Sequence, residues 1–158
     1  MKKQILFFLL IISAGTFAQV RNEIQIPDIL GYKTLKCDFH MHTVFSDGLV
    51  WPTVRVDEAY TQGLDAIAIT DHIEYRPHKA DLIGASHNRP YEIAEASAKA
   101  KDIILIRGSE ITRSMAPGHS NALFLKDCNA LDVPAFMDAF KAARAQNAFI
   151  FWNHPGWD

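Results

Sequence analysis

The sequence predicts an α/β fold, built either as a parallel sheet or as an α/β barrel. From residue 35 onward, short apolar runs alternate with stretches of helical character, which is the pattern of strand–helix–strand units. The run at 64–70, LDAIAIT, is apolar at nearly every position, as a parallel strand covered on both faces requires. Histidine-rich polar clusters recur where these runs end, so the same pattern also indicates a site.

Local signals set the order of the elements. The first helix begins at Pro52, a residue favoured at the first helical position, and Gly63 ends it. The last helix carries Phe136 and Phe140 at helical spacing. The long polar segment at 73–88 is interpreted either as a lid over the site or as a plain surface loop. We expect strands at 35–41, 64–70, 103–106, 122–125 and 148–152, and helices at 52–62, 91–101 and 134–146.

The composition excludes several classes of protein. The 158 residues are 49% hydrophobic and 22% charged, which describes a folded chain rather than a disordered one. A net charge of −2 argues against a nucleic-acid binder that relies on a basic face. Two cysteines cannot form a disulfide scaffold. Cys37 and Cys128 either pair in one bridge or remain two buried thiols.

Residues 1–18 have the pattern of a secretory signal peptide. Lys2 and Lys3 precede an apolar run at 5–12, and small residues lead to a cleavage point after Ala18. The run is shorter than the roughly 18 residues that a membrane anchor needs. We therefore expect an exported chain, periplasmic or secreted, with no stable membrane anchor after cleavage and with a net charge of −4 once both lysines are removed. Residues 19–34 then form an extended lead-in.

The first polar cluster, DFHMH, lies at the end of the first strand. Because alternate side chains of a strand share a face, we expect Asp38, His40 and His42 to point the same way. Two imidazoles so placed can bind one metal ion, with Asp38 orienting one of them. Asp47, in the SDG sequence that follows, is placed to reach a neighbouring ion. The alternative is a pair of surface histidines on a half-exposed strand.

Four further polar clusters lie at or beside the ends of the later strands. In α/β barrels the active site is built at the C-terminal ends of the strands, so five such placements predict one shared site. The four clusters are Thr70-Asp71-His72, Gly108-Ser109-Glu110, Gly118-His119-Ser120-Asn121 and Asn153-His154-Pro155.

This ordered set of motifs resembles the polymerase-and-histidinol-phosphatase (PHP) family over residues 35–158. The resemblance implies a distorted (β/α)7 TIM-like barrel of PHP type and a metal-dependent phosphoesterase. It also implies two or three divalent metal ions, expected to be zinc, manganese or iron. The implied metal ligands are His40, His42, Asp47, His72, Glu110, His119 and His154.

The resemblance further implies how the ligands are shared. His40 and His42 bind one ion, and Glu110 bridges it to a second. His119 and His154 complete the shell of the second ion, and the remaining two ligands hold a third.

Other polar residues near these motifs have supporting interpretations. Asp38 and Asp71 are interpreted as groups that orient ligands rather than as ligands. Arg76 and Arg113 lie on the right loops to bind the phosphate, whose geometry suits a guanidinium, although loop arginines are commonly just solvated.

Two histidines, His78 and His87, match none of the motifs. We interpret both as solvated loop residues.

The expected reaction is hydrolysis of a phosphate ester by in-line attack of a metal-bridging hydroxide on phosphorus. Mixed imidazole and carboxylate shells suit zinc and manganese, and two bridged ions activate water while neutralising phosphoryl charge. One alternative is a metal- or sugar-phosphate-binding module without turnover. Another is a hydrolase of carbon–nitrogen or carbon–oxygen bonds of the amidohydrolase type, which usually adds a metal-bridging lysine with no suitable counterpart here. The expected substrate is a small phosphorylated molecule, because export and negative charge disfavour nucleic acid.

The match to the family is incomplete. The family has a later Asp-x-His motif that supplies further ligands, and no such motif follows His154. Only about five strands can be counted instead of seven. We therefore expect a PHP domain that is incomplete at its C-terminus, in a chain that is a fragment of a longer protein. The alternative is a truncated product with an open barrel edge.

Overall fold

The computed structural model describes residues 19–156 except for residues 83, 85 and 115. The predicted signal peptide at 1–18 lies outside these residues, so export stays a prediction. Within the described part of the chain, no helix combines the length and the apolar character needed to span a membrane.

Five strands alternate with helices along the described chain, in the order that the sequence predicts. The largest difference is in the third strand, which continues to Ile111, whereas the sequence pattern predicted a strand only at 103–106. A short 3₁₀-helix was not expected. The elements are β1 (Cys37–Met41), α1 (Pro52–Gln62), β2 (Ala66–Ile69), α2 (Arg89–Ala100), β3 (Ile104–Ile111), β4 (Ser120–Leu123), the 3₁₀-helix (Cys128–Leu131), α3 (Phe136–Ala145) and β5 (Phe149–Trp152).

The strands form one mixed sheet in the order β1-β2-β3-β4-β5. β1, β2 and β3 are parallel, but β4 is antiparallel to both β3 and β5. Of the two predicted forms, a simple parallel sheet therefore describes β1 to β3 but not β4. The physical reason is the short connection at 112–119, because a parallel return to the sheet needs a crossover of about a dozen residues or more. The α/β class is confirmed, and the sheet is curled like part of a barrel.

The sheet is curled around an interior cluster to which all five strands contribute. Residues on strands that are not neighbours, such as Phe39 of β1 and Phe151 of β5, contact this cluster from opposite ends of the sheet. A flat sheet could not bring its two edge strands together in this way. The cluster consists of Ala68, Ile106 and Leu123, with Phe39 and Phe151 packed against it.

The helices cover the other face of the sheet through small residues. Ala59 of α1 and both Ala94 and Ala98 of α2 are buried against Ile67 and Ile69 of β2. Alanine at these positions lets the helices approach the strand closely. Because Ala68 of the same strand lies in the interior cluster, β2 is covered on both faces, as its sequence predicted. A second cluster packs α3 and the 3₁₀-helix against Ile111 and Ala122.

The lead-in is held against the start of β2. Its Arg21 forms an ion pair with Asp65, at 2.7 Å, and donates to the carbonyl of Gly63. Gly63 has a φ of 81°, and a Cβ there would lie 2.2 Å from the Asn22 carbonyl oxygen. The glycine that ends α1 therefore also makes room for the lead-in, which contains one isolated β-bridge and otherwise no regular structure before residue 37.

The two cysteines are both free thiols. Cys128 is buried, its thiol donates to the carbonyl of Gly108, and burial raises its pKa to about 12. Cys37 is exposed, so the expectation of two buried thiols is correct only for Cys128.

We expect Ile67→Ala to destabilise the fold by about 2–5 kcal/mol, because it removes a fully buried side chain from the centre of β2. Ile104→Ala is the matched control, since Ile104 lies on the neighbouring strand but is 52% exposed. Its expected effect is below about 1 kcal/mol. Urea unfolding followed by circular dichroism measures both, and equal losses would contradict this packing of β2.

Candidate metal centre

The polar clusters predicted from the sequence meet at one edge of the sheet. Glu110 lies near the end of β3, and His72 extends β2 alongside it through a parallel bridge. His119 precedes β4 instead of following it. Because β4 runs in the opposite direction, its N-terminal end lies at this same edge, where Ser120 pairs with Ile111 on one side and Trp152 on the other. The reversal of β4 is therefore what brings His119 to the site.

A single buried carboxylate lies at the centre of these residues. Glu110 is 0% exposed, and its Oε2 lies 2.8 Å from Nε2 of both His40 and His42. Its Oε1 lies 2.7 Å from Nδ1 of His119, 3.8 Å from Nδ1 of His72 and 3.9 Å from Nε2 of His154. Five imidazoles thus surround one carboxylate.

The pKa directions follow from this arrangement. Burial opposes ionisation of Glu110, but hydrogen bonds with His40 and His42 outweigh it and hold the pKa of Glu110 far below its usual range. Burial likewise opposes protonation of His42, yet the carboxylates of Glu110 and Asp47 raise its pKa above the ordinary value. At His72 burial dominates, and the pKa is lowered. Glu110 is therefore a carboxylate that needs a positive neighbour.

β1 reaches the site with an irregular register. Its pairing with β2 shifts between Asp38 and Met41. Phe39 packs in the interior cluster and Met41 packs on the helical side, although residues two apart share a face in a regular strand. Such a bulge redirects side chains, and here His40 and His42 both reach Glu110. The simple alternation that placed Asp38 beside them is interrupted, and its carboxylate accepts from the His40 backbone N–H at 3.0 Å.

Asp71 holds the loop that follows β1. Its carboxylate accepts from the N–H and the hydroxyl of Thr43, both at 2.7 Å, and from the hydroxyl of Ser46 at 2.6 Å. The same loop carries Asp47, whose Oδ1 lies 2.7 Å from Nδ1 of His42. Asp71 therefore orients a candidate ligand through the backbone of its loop.

Gly48 completes this loop at a point of close approach. A Cβ at this position would lie 2.5 Å from the carbonyl carbon and oxygen of His42 and 2.6 Å from the nitrogen of Thr43. Because a side chain at this position would collide with the backbone, the loop requires the glycine of the SDG sequence.

Two supporting residues were missed by the sequence reasoning. The Thr112 hydroxyl contacts Nδ1 of His72, which leaves Nε2 of that ring facing Oδ2 of Asp47 at 3.4 Å. Arg55 of α1 donates to the His42 carbonyl at 2.8 Å. Thr112 could have been found, because it lies two positions after Glu110 at the end of a strand, whereas nothing near Arg55 signals its role.

The two candidate phosphate-binding arginines lie beside the metal centre, on a neighbouring cavity. Arg113 forms an ion pair with Glu74 and donates to the Val133 carbonyl at 3.0 Å. Arg76 lines this cavity and also a small gap that reaches His72. Whether either arginine binds phosphate stays a prediction.

The two histidines outside the motifs differ from each other. His78 is exposed, as expected. The expectation is wrong for His87, whose side chain is 6% exposed and lies 3.3 Å from the carboxylate of Asp132. The 3₁₀-helix and its neighbours bury it, and no local pattern in the sequence shows that contact.

The described residues fit divalent metal ions. Nδ1 of His119 and Oε1 of Glu110 are buried and lie 2.7 Å apart, yet neither has a hydrogen bond of acceptable geometry. A nitrogen and a carboxylate oxygen so arranged form a donor set that zinc or manganese prefers. Potential ligand atoms lie within 4.8 Å of one another in three overlapping groups: His40, His42 and Glu110; His42, Asp47 and His72; and His72, Glu110 and His119.

These groups overlap more than the resemblance implied. His42 belongs to the first two and His72 to the last two, while His154 lies outside all three. How the ligands are divided among ions stays a prediction.

Comparison with known proteins gives a consistent result. Residues 38–149 match the PHP domain family. A crystal structure from Bacteroides vulgatus, of a two-domain protein containing a predicted PHP-like metal-dependent phosphoesterase, is 65% identical with a TM-score of 0.87. The match covers 89% of this chain and 41% of that one.

Two curated proteins are also similar. An uncharacterized protein of Methanocaldococcus jannaschii is 28% identical in an alignment of length 144. The match covers 74% of this chain and 66% of that protein. A 5′-3′ exoribonuclease of Haemophilus influenzae is 38% identical over 79 residues, which cover 50% of this chain and 24% of the enzyme. The chain thus spans only part of each of these relatives.

We expect Gly48→Ala to weaken metal binding by about tenfold or more, because the new Cβ displaces the loop that positions Asp47 against His42. Gly156→Ala is the matched control, since a Cβ there meets nothing within 4 Å. Isothermal titration with Zn²⁺ and with Mn²⁺ measures both variants. Equal affinities would show that Gly48 is not needed for the site.

We expect the apparent affinity for Zn²⁺ to fall as the pH is lowered from about 8 to about 6. The pKa of His42 is raised above 6.5 in the metal-free chain, so below its folded value a proton occupies the ring and competes with the metal. Equilibrium dialysis across this range measures the slope. His78→Gln should leave the slope unchanged, whereas a pH-independent affinity would contradict ligation by His42.

Proposed function

The chain belongs to the PHP domain family, and from that premise we propose that it is a metal-dependent hydrolase of phosphate esters. The observation that carries this proposal is the buried carboxylate of Glu110 with five imidazoles around it at one edge of the sheet. Such a set concentrates nitrogen and oxygen ligands without a nucleophilic serine or cysteine among them. It is suited to hydrolysis assisted by divalent ions.

In the proposed reaction, the residues of the metal centre would have separate roles. Two or three divalent ions, which we propose to be zinc, manganese or iron, would supply an acidified water and positive charge against the phosphoryl oxygens. Glu110 would be shared between ions, because both of its oxygens face imidazoles. Thr112 would hold Nδ1 of His72, so that Nε2 stays directed towards Asp47. Asp71 would fix the loop that carries Asp47.

Two of the similar proteins support phosphate-ester chemistry. The Bacteroides protein contains a predicted metal-dependent phosphoesterase, and the Haemophilus protein is an exoribonuclease. The charge of this chain, −2 overall, favours a small phosphorylated molecule over nucleic acid as the substrate. We therefore propose a small-molecule substrate.

We also propose that the chain is exported to the periplasm or secreted. The basic start, the apolar run and the small residues before Gln19 support this. N-terminal sequencing of the protein from a cell-envelope or culture fraction tests it. A first residue of Gln19 is the expected result, and an intact Met1 in the cytoplasmic fraction would overturn it.

We expect His42→Ala to lower the rate of hydrolysis of p-nitrophenyl phosphate and of bis(p-nitrophenyl) phosphate by about 100-fold or more. The substitution removes a nitrogen that belongs to two of the candidate ligand groups. Metal content should fall in parallel, as measured by inductively coupled plasma mass spectrometry. His78→Ala, which changes an exposed histidine outside the site, serves as the control.

Three results would reject this proposal or replace it. Unchanged activity in the folded His42→Ala variant would show that the metal centre takes no part in the reaction. Tight metal binding without hydrolysis of either ester would instead support a binding module without turnover. Cleavage of amide or carboxylic ester substrates alone would support the amidohydrolase type.

A further inference from the structure

We propose that a cavity beside the metal centre binds a second anionic group of the substrate. The preferred substrates would then be small phosphate esters whose organic part carries a carboxylate or another phosphate. This inference rests on the proposed function, since it assigns a substrate class to the same site.

The cavity lies where a substrate would extend from the metal centre. It has a volume of about 720 Å³, within the range of pockets that hold small molecules. Its walls come from the loop after β2, the loop after β3 and the segment that leads into α3. The first two loops leave the same edge of the sheet as the candidate ligands, so the cavity opens beside them.

Two contacts join the cavity to the metal centre. Thr112 lines the cavity, and its hydroxyl contacts the ring of His72. Arg76 and His87 line both the cavity and a small gap whose other walls include Asp71 and His72. His72 and Arg76 therefore border the same gap, which places the cavity next to the metal centre.

The charges around the cavity favour an anion. Three cations, Arg76, Lys79 and Arg113, line it together with two acids, Glu74 and Asp132. Glu74 pairs with Arg113 and accepts from the Thr112 N–H at 2.7 Å, whereas Asp132 lies 3.3 Å from the ring of His87. Lys79 is exposed, and among the described residues its ammonium has no acidic partner.

Two cations, Arg76 and Lys79, lie near His87, together with the carboxylate of Asp132. Burial and the charge of Arg76 lower the pKa of His87, Asp132 opposes this, and the pKa stays below its ordinary value. The ring is therefore neutral near pH 7, and the two cations outnumber the one carboxylate beside it. A carboxylate or phosphate placed here would gain a charge-assisted hydrogen bond from Lys79 and favourable charge from Arg76.

The remaining walls suit a short carbon chain. Ile73, Val133 and Pro134 line the cavity together with its charged residues. An ester with a few carbon atoms between two anionic groups would match this mixture of surfaces, with one group at the metal centre and the other near Lys79.

A matched series of substrates tests the proposal. Glycerol 3-phosphate has a neutral end, 3-phosphoglycerate replaces that end with a carboxylate, and glycerol 1,3-bisphosphate carries a second phosphate. We expect kcat/KM to be about tenfold higher for at least one of the two compounds that carry a second anionic group, mainly through a lower KM. The better of the two identifies the group that the cavity prefers.

Two lysine variants of equal charge change show whether the cavity is responsible. Lys79→Gln should remove most of the advantage, whereas Lys141→Gln removes a lysine of α3 that is 72% exposed and should retain it. Equal kcat/KM for all three substrates would overturn the proposal. So would an equal loss in both variants, which would show a general effect of net charge.

Binding of unreactive analogues separates this proposal from the proposed function. Isothermal titration of the metal-loaded chain with 3-phosphonopropionate and with propylphosphonate needs no turnover. Tighter binding of 3-phosphonopropionate that is lost in Lys79→Gln would support the cavity even if no ester is hydrolysed. Hydrolysis of esters together with equal binding of the two analogues would leave the enzyme proposal standing and overturn the cavity.

Discussion

The buried carboxylate of Glu110 is the interaction on which the rest of the site depends. A fully buried carboxylate loses its hydration, a penalty of several kcal/mol unless positive charge and hydrogen bonds replace the water. The chain supplies imidazoles from the ends of β1, β2 and β5 and from the start of β4. Neutral rings alone cannot balance the charge, so either protons or metal ions must complete it. We therefore expect protons and metal ions to compete for this site, because one acid is buried among five histidines.

That convergence requires a curled sheet with one reversed strand. The interior cluster draws β1 and β5 towards each other, and a buried amide network reinforces it. Asn121 of β4 donates to the Phe39 carbonyl of β1 at 3.1 Å, and Asn153 donates to the Asn121 side chain at 2.9 Å. The first bond connects β4 to β1, which is not its neighbour in the sheet, and the second connects β4 to the residue that follows β5. The three residues lie one or two positions from His40, His119 and His154. The polar network therefore holds the ligand-bearing ends of three strands at fixed separations.

Local sequence signals predicted the parts of this structure that depend on local interactions. Pro52 and Gly63 mark the ends of α1 because each has a conformational preference of its own. The end of β3 was missed because its polar residues, from Arg107 to Glu110, resemble a loop, and only pairing with β4 makes them a strand. The bulge in β1 was missed because DFHMH alternates regularly in the sequence. The irregularity arises from pairing with β2, whose residues lie far away in the sequence, so no local pattern shows it.

Tertiary contacts give Arg113 a different role from the one that its position in the sequence predicts. From its position three residues after Glu110, the arginine is a candidate phosphate ligand. In the fold it pairs with Glu74, which in turn accepts from the Thr112 N–H, and the Thr112 hydroxyl contacts His72. The guanidinium thus supports one wall that the cavity and the metal centre share. Thr112 therefore contacts both the cavity and a candidate metal ligand, an arrangement that its position in the sequence alone does not show.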